Sequence, residues 1–159
     1  MLEKSLISII IIILSSYSVY SNETIKILEF RERFTNHQKD LHRFAEHYNN
    51  TRDFNEFEIS SSMYELANSA WKYAYNFTTL IEIHYLVSID KDRNAIRPII
   101  QSNIKVYIES LDESIDYINK LIARTYSHEI AVSGTHLQED LRRFQQYLQS
   151  IKLPIRVGN

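Results

Sequence analysis

From residue 23 onward, apolar side chains recur in alternating steps of three and four. The first run is Ile27, Phe30, Phe34, His37, Leu41, Phe44 and Tyr48. That spacing keeps one stripe on one face of a helix and predicts a helix from about Glu23 to Asn50. A polar break at NNTRDFN supplies turn and cap residues. The second run is Ile59, Met63, Leu66, Ala70, Tyr73, Phe77, Leu80, His84 and Val87. Trp71, Ala74, Ile81 and Tyr85 widen its apolar face, as a core-facing helix requires. This helix is predicted to begin near Asn55 or Phe57 and to end near Ile89.

DKDRN at 90–94 reads as a turn, with Pro98 in the first turn of a third helix, where a missing N–H is harmless. Ile104, Ile108, Leu111, Ile115, Ile118 and Ile122 form the third seam, which the pattern extends to about Val132. Gly134 then reads as a C-cap, and Thr135 with Gln138 as a capping box for a fourth helix. Leu137, Leu141, Phe144, Leu148 and Ile151 form its seam, and Pro154 ends it. Short connections make successive helices antiparallel. The pattern therefore predicts an all-α, up-down-up-down four-helix bundle. Seams of this length also permit pairing with a second copy, so a homodimer is open.

The first 21 residues follow a different logic. MLEK is a short polar start, SLISIIIIILSS an apolar core, and Val19 and Ser21 occupy the small-residue positions before a cleavage point. Leu6 to Tyr20 is shorter than the roughly 20 residues a membrane span needs. The reading is a signal peptide at 1–21, removed after Ser21, and a single domain at 22–159, exported to the periplasm or the extracellular space without stable membrane insertion. A retained anchor is the rival.

Composition supports helices and narrows function. Two Gly and two Pro in 159 residues are too few for a many-stranded β fold. With no Cys, the exported domain must be held by its core, not by disulfides. Eighteen basic and 20 acidic side chains leave a net charge of −2. That balance gives no footprint for nucleic acid or anionic lipid.

Candidate chemistry centres on histidine. NHQKDLHRFAEHY at 36–48 holds three of the six histidines, spaced five apart. Five residues turn a helix by about 140°, so His37, His42 and His47 fan around the axis and cannot share one metal. His37 and Asp40 can converge at i and i+3. His42 is expected in water, pairing with Glu46. His37 and His84 both occupy seams, but a turn near 53 sets them about 20 Å apart in level, too far to share a haem iron. Turns placed near 94 and 134 bring His128 level with about position 46. His47, His128 and His136 then gather at one end of the bundle, with Glu129, Glu139 and Asp140 nearby, as a metal-ligating candidate. Trp71, Tyr73 and Tyr75 form the densest aromatic patch and the candidate surface for a partner or apolar ligand.

No G-x-S-x-G elbow, phosphate loop, H-E-x-x-H or thiol occurs, and no catalytic residue or cofactor is assigned. The functional expectation is an exported, non-catalytic helical protein that binds a macromolecular partner, in the manner of an inhibitor, immunity protein or adaptor. The alternative is a carrier bundle for a small molecule, metal or haem.

Overall fold

A computed structural model describes the backbone of residues 2–86 and 90–151, and the side chains of residues 24–84, 92 and 94–151. It contains four helices and, among the described residues, no strand. They are α1 (Leu2–Asn50), α2 (Phe54–Leu86), α3 (Asp90–Arg124) and α4 (His128–Ser150). The side chains of the predicted signal segment, together with Tyr85, Val87, Ile89 and Pro154, lie outside the described set. Among the described residues, no helix is long and apolar enough to cross a membrane.

Cross-helix contacts fix the directions. Arg31 lies over Trp71, and Gln38 donates to Asn68 at 3.3 Å. Tyr73 stacks on Tyr107, while Arg124 reaches Glu58 at 3.4 Å. Gln138 and Gln145 donate to the carbonyls of Ile115 and Ile108. Arg33 meets Asp140 at 3.0 Å, and Tyr48 donates to Ser127 at 2.9 Å. In each pair one number rises as the other falls, so α1–α2, α2–α3, α3–α4 and α4–α1 are all antiparallel. The bundle is up-down-up-down, as the seams require.

The seams form the core. Ile27, Phe34 and Leu41 of α1 are fully buried, with Ile59, Met63 and Phe77 of α2, Leu111 and Ile118 of α3, and Leu137, Leu141 and Phe144 of α4. Phe144 packs between two α1 rings, with centroids 5.0 Å from Phe30 and 5.7 Å from Phe34.

The first connection is tight. Arg52 takes a left-handed φ of 60°. The Asp53 amide donates to Tyr48 O at 2.9 Å and the Arg52 amide to Asn49 O at 3.2 Å, which closes α1 in a Schellman motif. Asp53 then caps α2 by accepting from the Glu56 amide at 3.3 Å. One aspartate therefore ends one helix and starts the next.

Two predicted boundaries are corrected. The third helix stops at Arg124, and α4 begins at His128 rather than beyond Gly134. Ser127 is the N-cap, its side chain accepting from the Ile130 amide at 3.4 Å. Gly134 is inside α4 and buried, and a Cβ there would lie 2.8 Å from Met63 Cε and 3.0 Å from Ile122 Cγ1. The glycine is there for close helix packing, not for a cap. Thr135 forms no capping box: its hydroxyl donates back to Ala131 O, while Gln138 is buried and donates to Ile115 O and Asn119. The predicted turn at DKDRN is also helix, the start of α3, which places Pro98 inside that helix. Pro98 has no N–H to offer the carbonyl of Asn94.

Candidate functional site

Helical spacing places Arg33, His37, Asp40, Phe44 and His47 on one stripe of α1. The facing stripe of α4 carries His128, Val132, His136, Asp140 and Arg143. Together they line an open groove of about 970 Å³ whose walls come from α1 and α4 alone. From Arg33 to His47 it extends about 20 Å at the helical rise.

The register set by the α1–α4 contacts orders the groove into levels. At one end Asp140, only 13% exposed, accepts from Arg33 Nη1 at 3.0 Å and Arg143 Nη1 at 3.4 Å, and its second oxygen lies 3.0 Å from His37 Nε2. In the middle Asp40 is level with His136, and Asp40 is bonded along its own helix to Arg43 at 3.3 Å. At the far end His47 and His128 share a level, beside Glu129. Phe44 and Val132 supply apolar surface between these levels.

The sequence-predicted histidines thus share one groove, at different levels along it. His47, His128 and His136 all line this groove, and His37 joins them. The route differs from the predicted one, because His128 opens the fourth helix instead of lying on the third. With the connection near 126 rather than 134, His128 lies on α4 and lines the same groove as its level partner on α1. Among the described residues, no three His, Cys, Asp or Glu side chains are grouped to hold a metal ion. His37, which helical spacing could bring to Asp40, lies instead 3.0 Å from Asp140, and Asp40 pairs with Arg43. His42 stays outside the groove, exposed and paired with Glu46 at 3.3 Å.

The aromatic triplet divides. Trp71 and Tyr75 stack on one face of α2, 5.5 Å apart and 10° from parallel. The Arg31 guanidinium lies over both rings, at 5.3 and 5.0 Å. Tyr73 turns towards α3 and stacks on Tyr107 at 4.9 Å. Burial pushes the Tyr107 phenol above its ordinary value; a hydrogen bond with Asn76 opposes that shift and neighbouring Tyr73 adds to it. Trp71 and Tyr75 thus remain a surface pair, whereas Tyr73 joins the α2–α3 packing.

The arginines of the groove were not singled out from sequence. Arg33, Arg43 and Arg143 look like ordinary solvated helix residues when each helix is read alone. A spacing of four from His37 and His47 is the available signal for Arg33 and Arg43, whereas Arg143 lies seven residues from His136. No protein-family model, curated protein or solved structure matches this chain.

Proposed function

We propose that this protein is exported and acts without catalysis, by binding a macromolecular partner along the α1–α4 groove. The carrying observation is the groove itself: about 970 Å³, with walls from two antiparallel helices, charged side chains and apolar Phe44 and Val132 between them. Its length of about 20 Å suits a peptide segment or a helix laid into it. The Asp140 carboxylate is held by two arginines and a histidine, which suits it to positioning and not to proton transfer.

A photo-crosslinking side chain at Val132, 40% exposed in the groove, tests this in the native compartment. Val106, 51% exposed on α3, is the control position. One defined adduct from position 132 and none from 106 is expected. No adduct at 132, or the same adducts at both, would overturn the reading. Export is tested by sequencing the mature N-terminus, which is expected to begin at Asn22. The alternative, a metal carrier, draws on the shared level of His47 and His128. Native mass measurement after zinc loading separates it: a stoichiometric metal mass lost on replacing both histidines would favour the carrier.

A further inference from the structure

Four of the chain's six histidines line the α1–α4 groove. Its fixed charges are three arginines, Arg33, Arg43 and Arg143, against four carboxylates, Asp40, Glu129, Glu139 and Asp140. With neutral imidazoles the groove carries one net negative charge. With His37, His47, His128 and His136 protonated it carries three net positive charges. Histidine as a residue type changes charge between about pH 5 and 8, and arginine does not.

The pairing pattern leaves that change to the histidines. Each groove arginine is engaged by a groove carboxylate: Arg33 by Asp140, Arg43 by Asp40, and Arg143 by both Asp140 and Glu139. The guanidinium groups are therefore internally neutralised, and the change in groove charge comes from the histidines. His37 lies 3.0 Å from Asp140. Once protonated, it supplies that carboxylate with a cation of its own. His136 lies level with Asp40 in the same groove and adds its charge there. His47 and His128 have no arginine at their level, and together they outweigh Glu129.

We propose that the α1–α4 groove is a docking site for an acidic peptide segment, engaged on mild acidification when its histidines become cationic. This deepens the partner-binding reading and rests on it. Charge complementarity selects an anionic occupant, and the apolar surface of Phe44 and Val132 along a groove about 20 Å long favours a peptide over a small anion.

The test uses a fluorescent Asp-rich dodecapeptide carrying two leucines, because Asp stays ionised at pH 5.5. Anisotropy titrations of the full mature chain at pH 5.5 and 7.5, at equal ionic strength, are compared with a Lys-rich peptide of the same design. The acidic peptide is expected to bind at least about tenfold more tightly at pH 5.5, and the Lys-rich one to weaken. The exposed triple variant His47→Gln/His128→Gln/His136→Gln is expected to lose most of the difference. Circular dichroism confirms its fold, and the single variant His128→Gln, at the first position of α4, is expected to lose part of it. Equal affinity at both pH values, an equal gain by the Lys-rich peptide, or a gain that survives in the triple variant would overturn the proposal. A Val132 adduct that forms equally at both pH values would overturn the gating and leave the partner reading standing. No adduct at either pH would remove both.

Discussion

His37 of α1 and Asp140 of α4 lie 3.0 Å apart across the groove, 103 residues apart in sequence. The pair joins the first helix to the last, and Arg33 and Arg143 complete the environment of the carboxylate. Replacing Asp140 with Ala leaves a partly buried imidazole without its acceptor, while half-exposed Arg33 turns to water and Arg143 keeps Glu139. The expected loss is about 1–3 kcal/mol in urea unfolding, because the cost is set by the groups left unsatisfied. Asp140→Asn keeps one oxygen acceptor and is expected to fall between the two. A double variant, Asp140→Ala with His37→Ala, is expected to lose less than the sum of the single losses. Strict additivity would show that the two side chains do not interact.

Glu56 makes a different cross-chain link. It is fully buried in the first turn of α2, where it accepts from Thr125 Oγ1 and the Tyr126 amide and is bonded to Asn55. Tyr126 OH also donates to Asp53. The α1–α2 and α3–α4 connections are thus tied together by two carboxylates. Glu56→Ala is expected to destabilise the fold by about 2–3 kcal/mol, since it strands a backbone N–H and a hydroxyl. Thr125→Val removes one donor and leaves the amide bond, and about 1 kcal/mol is expected. Chemical denaturation checks both, and a larger effect for Thr125→Val than for Glu56→Ala would refute this account.

The seams of all four helices were legible in the sequence because burial imposes a period that single residues cannot hide. Ile27, Phe34 and Leu41 fall where spacing puts them, and so do Ile59, Met63 and Phe77. The α3–α4 boundary was not legible, for a physical reason. Glycine weakens a helix by about 1 kcal/mol relative to alanine and so resembles a stop. Here α4 approaches Met63 and Ile122 too closely for a side chain, and tertiary packing outweighs propensity. The real stop, Thr125–Ser127, contains neither Gly nor Pro. Its signal was Ser127 three residues before Ile130, with Glu129 in the first turn. Ile130 also leads the seam of Leu137, Leu141 and Phe144 and belongs to α4. The groove was half legible: the histidines stood out, while the arginines acquire meaning only when α1 and α4 are placed side by side.

Gly134 gives a direct check on that packing. Alanine there gains about 1 kcal/mol of helix propensity and meets Met63 Cε at 2.8 Å, the flexible end of a side chain. The two effects oppose, so Gly134→Ala is expected within about 1 kcal/mol of the parent in thermal unfolding. Gly134→Leu cannot be accommodated by moving one methyl group and is expected to cost about 3 kcal/mol or more. A C-capping glycine would behave otherwise, with alanine and leucine similarly damaging. Combining Gly134→Leu with Met63→Ala is expected to recover part of the loss.

Tyr107 is expected to contribute to the alkaline slope of stability. Its phenol is 7% exposed and stacked on Tyr73, and burial raises its ionisation above the ordinary value of 10.0. A raised folded value means that the native state holds its proton where the unfolded chain has released it. Below about pH 10 both states are neutral at this residue and its contribution is intact. As pH rises from the unfolded value through the folded one, the unfolded chain gains by ionising and stability falls. Tyr107→Phe removes this dependence. The variant also lacks the hydrogen bond with Asn76, so it is expected to be about 1 kcal/mol less stable at pH 7. Between pH 10 and 11.5 its stability is expected to decline less steeply than that of the parent, and the two curves to converge. Parallel curves in urea unfolding across that range would show that the buried phenol does not control the alkaline slope.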